Sequence, residues 1–262
     1  MKDLNVYING LEKSLQEKLF FINQIDMSQF GLIVDFGCAN GRMLRRIANL
    51  YTASDEKPIM VGLEPNAELC MIAEDSSSRY DISFIMHRED LEEYIDIIRN
   101  LKIDKKSLII FSSVLHELDS EDEQKAIELM KKFDTVVIRD MAAPISFSEP
   151  IDTTTTRRRI VNRVPNYMIE DFEKIWGPID NKKNMYHFFL KYTYVENWDT
   201  EVREDYFSTP WSEIHDKLVM SEEYEIVYER AYTLEHKRNM VKKDFDHTMR
   251  DITHKMLILK RK

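Results

Sequence analysis

The sequence predicts an α/β fold built on a doubly wound, mostly parallel sheet, and three observations predict it. Short apolar runs that end at polar or glycine-bearing turns alternate five times with segments of helical period. The first run, Leu32-Ile33-Val34, holds no polar residue, as suits a strand buried on both faces. It is closed by Asp35-Phe36-Gly37-Cys38-Ala39-Asn40-Gly41, and the helix that follows carries Met43, Leu44, Ile47 and Leu50 as one apolar stripe. In such a unit Gly37 and Gly41, which lack a β-carbon, let a ligand approach the backbone closely, and the helix start aims free amides at it.

The chain of 262 residues is long enough for one enlarged domain or two small ones. A hydrophobic fraction of 43% argues against disorder throughout. The formal net charge of −10 opposes nonspecific nucleic-acid binding, yet it excludes neither a local basic patch nor an RNA substrate. Cys38 and Cys70 form no disulfide framework and no metal-ligand spacing, so a reducing compartment is expected and no metal site. No long apolar run follows Met1, so neither a signal peptide nor a membrane span is expected, and the expectation is a soluble, cytoplasmic protein.

In chain order, residues 4–25 repeat Leu4, Tyr7, Ile8, Leu11, Leu15, Leu19, Ile22 and Ile25 at helical spacing and predict one or two amphipathic helices. The second strand, Ile59-Met60-Val61-Gly62-Leu63, ends at Glu64, because Pro65 has no amide to donate to a ladder. A carboxylate at that point suits ribose hydroxyls, and its competing reading is a solvated glutamate in a turn. The dinucleotide fingerprint fits poorly. Counted from Gly37, it needs glycine third and sixth, where Ala39 and Arg42 stand.

What remains, an acidic strand end followed by Gly37-Cys38-Ala39-Asn40-Gly41, resembles the glycine loop of class I S-adenosylmethionine (SAM) dependent methyltransferases. Ala39 stands where that family often has its middle glycine. The resemblance implies a Rossmann-like core that binds SAM through Asp35, Gly37, Ala39 and Gly41, with Glu64 on the ribose. In that family a leading helix often covers the SAM pocket; plain packing on the sheet suits residues 1–27 as well, and Tyr7 is of interest under the first reading.

A helix from Ala67 to Glu74 leads to the third strand, Ile82–Met86, and a further helix reaches Ile98. Asp90, between them, either accepts a hydrogen bond from the adenine amino group or caps the helix. The fourth strand, Ser107–Phe111, runs into Ser112-Ser113-Val114-Leu115-His116-Glu117 beyond the carboxyl end, where ligands bind in open parallel sheets. This segment resembles the fourth motif of many class I methyltransferases. The Asn-Pro-Pro-Tyr variant of that motif is absent, which disfavours methylation of DNA base amines. His116 is a candidate general base by residue type, and its competing role, with Glu117, is to orient the loop. A helix over Asp122–Lys132 precedes the fifth strand, Thr135–Arg139, which delivers Arg139 and Asp140 to the same edge.

Tyr224–Tyr228 and Lys255–Leu259 read as two closing strands, giving seven in all, with a charged helix-like segment between them. The resemblance therefore covers 28–141 and 222–262, and 142–221 is expected to form a mainly helical cap between strands five and six. The cap holds Arg157-Arg158-Arg159 and Arg163 beside many aromatics. These either bind phosphate and stack bases or are a solvated face over a small core.

The resemblance thus implies SAM as cofactor, held by Asp35, Gly37, Ala39, Gly41, Glu64, Asp90 and Ser112. It implies transfer of a methyl group to an O or N nucleophile of a small-molecule or nucleotide/RNA acceptor, with His116, Glu117, Arg139 and Asp140 at the reacting centre. A SAM-binding regulatory or scaffold protein without turnover is the alternative, and a nicotinamide-dependent oxidoreductase is disfavoured by the missing glycine.

Overall fold

The computed structural model describes residues 8, 14–53, 56–100, 105–143 and 153–262. Tyr7 lies outside the described residues. Of the expected N-terminal helices, Leu15–Lys18 forms one helical turn that tightens into a 3-10 segment, Leu19–Asn23, and a second 3-10 turn spans Met27–Gln29.

Seven strands follow: β1 Phe30–Phe36, β2 Ile59–Leu63, β3 Ile82–Ile85, β4 Lys106–Ser112, β5 Thr135–Met141, β6 Tyr224–Tyr232 and β7 His254–Arg261. They form one sheet in the order β3-β2-β1-β4-β5-β7-β6. β1 pairs in parallel with β2 and β4, β2 with β3, and β4 with β5. β7 runs the other way: its end meets the start of β5 (Arg261 N to Asp134 O, 2.8 Å) and its start meets the end of β5 (Ala142 N to Thr253 O, 3.0 Å). The doubly wound, mostly parallel sheet expected from the sequence is therefore present. Its order reverses at β1, and the carboxyl ends of β1 and β4 flank that switch point.

The helices beside the parallel strands are α1 Arg42–Ala48, α2 Ala67–Ser76, α3 Arg88–Asn100 and α4 Ser120–Met130. Side chains alternate between the two faces of a strand. Leu32, Val34 and Phe36 of β1 share one buried cluster with Leu91 and Ile95 of α3 and Ala126, Ile127 and Met130 of α4. Ile33 between them is buried too, as are Met43, Leu44 and Ile47 of α1. Burial on both faces explains why these strands read as unbroken apolar runs. Asn66 caps α2 by accepting from the Glu68 and Leu69 amides, and Asp119 caps α4 through the Glu121 and Asp122 amides. The capping role considered for Asp90 is corrected, because α3 already begins at Arg88 and Asp90 lies in its first turn.

The chain forms two compact units, one of 1–17, 141–209 and 230–255 and one of 18–140, 210–229 and 256–262. The first unit holds α5 Thr154–Val161, α6 Asn166–Trp176, α7 Lys182–Tyr192 and α8 Glu235–Phe245. The limits of the units differ from the expected boundaries at 18–27, which joins the unit of the sheet, and in two further places. Residues 230–255 are expected in the core, yet α8 buries Val241 and Phe245 in a cluster with Ile160, Phe172, Phe188 and Phe189. Residues 210–221 are expected in the insertion, yet Ile214 and Leu218 are buried in the cluster of the sheet. Most aromatics of the first unit, including Tyr186, Phe188, Phe189, Trp198 and Tyr206, are its core and present no face for stacking bases. Among the described residues no helix is long and apolar enough to cross a membrane.

Candidate functional site

At the carboxyl end of β1 the chain turns through three residues with positive φ: Gly37 (75°), Ala39 (48°) and Gly41 (67°). Packing supplies a reason for the glycines besides the ligand approach read in the sequence. A β-carbon on Gly37 would stand 2.7 Å from the Val114 side chain, and one on Gly41 would stand 2.8 Å from the Phe84 ring. The protein's own packing, together with the left-handed backbone, therefore already requires glycine at both places.

The loop is tied to β2 by three amides. Those of Gly37 and Cys38 both donate to the Leu63 carbonyl at 2.9 Å, and that of Ala39 donates to Glu64 Oε2 at 2.8 Å. The other oxygen of Glu64 accepts from the Asn66 amide at 2.9 Å. Each carboxylate oxygen keeps acceptor capacity for a further hydroxyl. Burial raises the pKa of Glu64, and these two backbone bonds oppose the rise.

Asp35 lies in register with Gly62 on β2 and Ile110 on β4, is 1% exposed, and leaves its Oδ2 without a hydrogen-bond partner. Burial pushes its pKa up to about 8 against the opposing charge of Lys18, and Glu64 adds to the rise. Lys18 is perturbed the other way. Burial lowers its pKa to about 8 and Arg139 adds to this, while Asp35, Asp140 and Glu117 oppose it. Sequence reasoning missed Lys18. The available signal was a cation on an apolar face, since Lys18 lies three residues after Leu15 and four before Ile22.

Beyond β4, Ser112 is buried with an unpartnered Oγ and stands opposite Arg139 of β5. Ser113 takes a positive φ of 60°, and its hydroxyl accepts from Arg139 Nη1. Asp140, fully buried, collects the loop that follows. Its Oδ2 accepts from the amides of Val114 (3.1 Å), Leu115 (2.8 Å) and His116 (3.4 Å), and its Oδ1 lies 2.7 Å from His116 Nδ1. A carboxylate only accepts, so Nδ1 carries the proton and Nε2 is the basic nitrogen. Glu117 places Oε1 3.9 Å from that Nε2. Asp35, Glu64, Ser112, His116, Glu117, Arg139 and Asp140 thus lie at or beyond the carboxyl ends of adjacent strands, whereas Asp90 is exposed in the first turn of α3.

The donor set fits SAM. A carboxylate with spare acceptor capacity beyond the glycine loop suits ribose hydroxyls, and the unpartnered Asp35 oxygen suits a cationic donor. No protein-family model matches the sequence, and no curated protein matches it. Solved structures do. A SAM-dependent methyltransferase from Anabaena variabilis is similar over 96% of this chain and 85% of its own, at 11% identity and a TM-score of 0.53. The plantazolicin methyltransferase BamL, solved with a triazolic desmethylPZN analog and SAH, is similar over 98% of this chain and 90% of its own, at 10% identity and a TM-score of 0.50. Likeness at such identity speaks for the fold, and the chain has the fold of class I SAM-dependent methyltransferases.

Proposed function

We propose that the chain is a SAM-dependent methyltransferase that acts on an O or N nucleophile of a small-molecule or nucleotide/RNA acceptor. The observation that supports this most is the fixed orientation of His116 by Asp140, on the same strand edge as the Glu64-tied glycine loop. SAM would supply a methyl group on a sulfonium, a good leaving group. The chain's own residues would then have three tasks.

Glu64 would accept from the ribose hydroxyls, and Asp35 would meet the positive end of the cofactor, with the loop of Gly37, Ala39 and Gly41 setting the distance between them. Ser112 and Asp90 would add polar contacts. His116 Nε2 would take the acceptor's proton while Asp140 holds the tautomer and stabilises the imidazolium. Arg139, through Ser113, and Glu117 would orient the acceptor. Such alignment can supply much of the rate, because the displacement needs the nucleophile in line with the methyl group. Both cysteines are free and buried, which supports a reducing, cytoplasmic setting.

The deciding experiment incubates the protein with SAM carrying a labelled methyl group and with fractionated cell extract. Label should enter RNA or a small molecule, and His116→Asn should reduce the rate by roughly 10²–10⁴-fold while SAH still binds. Tight SAH binding with no labelled acceptor in any fraction would favour a non-catalytic SAM-binding protein.

A further inference from the structure

The net charge of −10 is unevenly spread. Residues 154–163 carry four arginines and no acid, and 235–250 carry five lysines and arginines against three acids. The fold puts these two segments together. Arg159 donates to the Asp246 carbonyl at 2.8 Å and pairs with the Asp246 carboxylate at 3.0 Å, and Thr156 Oγ1 lies 3.2 Å from His247 Nδ1. Lys242 reaches the same Asp246 carboxylate, so two cations share one acid.

After burial, the influences that lower the pKa of His247 are Arg159, Lys242 and Arg250, so cations of both segments act on one ring, opposed by Asp251. Arg157 is paired with Glu173, but Arg158, Arg163 and Lys243 are exposed and have no carboxylate partner among the described residues. In the first turn of α6, four residues after Arg163 in the chain, Tyr167 is 55% exposed, and Thr155, Asn162 and Asn166 are exposed as well.

We infer that this face of α5 and α8, with Tyr167, binds single-stranded RNA. Charge complementarity argues for a polyanion, because cations gathered on an acidic chain repel one another unless an anion lies across them. The exposed ring gives a base a surface to stack on, and the hydroxyls and amides suit ribose 2′-hydroxyls. Arginines keep the guanidinium planes that grip phosphate. The surface does not depend on methyl transfer, so the two readings can fail separately.

The test is fluorescence anisotropy with a labelled oligouridylate of about 20 nucleotides, titrated between about 50 and 200 mM salt. Wild type should bind at low salt. The reversal R158E/R163E/K243E should weaken binding about tenfold or more and flatten the log–log salt slope by about two, near 0.7 for each phosphate no longer neutralised. R158K/R163K should bind with nearly the wild-type salt slope, and Y167A should lose affinity at unchanged slope. Circular dichroism and SAH calorimetry would establish that each variant is folded. Absent RNA binding by wild type, an unchanged salt slope in the reversal variant, or equal affinity for the matching DNA strand would overturn the inference.

Discussion

Glu64→Gln tests the cofactor side without any knowledge of the acceptor. In the native loop each oxygen of Glu64 receives one backbone amide, from Ala39 at 2.8 Å and from Asn66 at 2.9 Å, and the residue is only 7% exposed. Glutamine keeps the shape but has one acceptor oxygen, so its NH2 group must face whichever amide remains. An orphaned buried donor costs about 1–3 kcal/mol, and the surviving bond loses the charge that makes such bonds about twice as strong. Against this, a neutral side chain is spared the burial that raises the pKa of Glu64. The net expectation is a loss of about 1–3 kcal/mol. Domains of this size lose roughly 2–4 °C per kcal/mol, which places the fall in Tm at about 2–12 °C for the ligand-free protein. SAH affinity should drop about tenfold or more if, as proposed, the same two oxygens serve the ribose. Scanning calorimetry and titration calorimetry read the two effects. A Tm within about 1 °C of wild type together with unchanged SAH affinity would refute the assignment.

Three further outcomes follow from the same geometry. Asp140→Asn should present an NH2 group to His116 Nδ1, force the proton onto Nε2 and lower turnover by roughly 10²–10⁴-fold at unchanged SAH affinity; full activity would reduce the pair to a structural contact. Ala39→Gly removes a β-carbon held at φ 48°, and denaturation in urea should show a gain of up to about 1 kcal/mol once the flexibility of glycine in the unfolded chain is deducted; a lower midpoint would mean that the methyl's packing outweighs the strain. Asp35 has a folded pKa raised from 3.8 to about 8, so between those values the folded protein keeps a proton that the unfolded chain has released. Its contribution to stability is therefore full below the unfolded pKa and is lost as pH rises through the folded one, at up to about 1.4 kcal/mol per unit. A cationic ligand beside Asp35 should expel that proton, so SAM should bind more tightly from pH 6 to 8, by at most about tenfold per unit, and Asp35→Asn should flatten the profile. A profile equally steep in that variant would assign the titration elsewhere.

The sheet was legible in the sequence because burial on both faces leaves unbroken apolar runs such as Leu108-Ile109-Ile110-Phe111, and because Pro65 and Gly37 mark where strands stop. Within the site, Asp35, Glu64, His116 and Asp140 were legible because each lies directly after a strand or at its end, and chain position alone fixes which edge a strand end occupies. Lys18 was not, since an isolated cation in an amphipathic stretch looks like a solvated side chain until its tertiary neighbours are known. The demand for glycine at 37 and 41 was legible, but its source was not. Val114 and Phe84 are distant in sequence, so no local pattern announces that they fill the space. The unit boundaries differ at 210–221 and 230–255 for a related reason. A helix and a loop can join either of two cores, and apolar period alone does not say which.

The hydrogen bonds gathered by Asp140 have a consequence for how this edge can change over time. Three backbone amides and one ring hang from a single buried carboxylate, so residues 114–116 are suspended from β5 rather than from their own strand. Their amides should exchange hydrogen as slowly as the sheet does, despite lying in a loop. Selection for a new acceptor would then find little freedom in this suspended segment. Glu117, next along the chain with a side chain 42% exposed, could vary without loosening the hook above it.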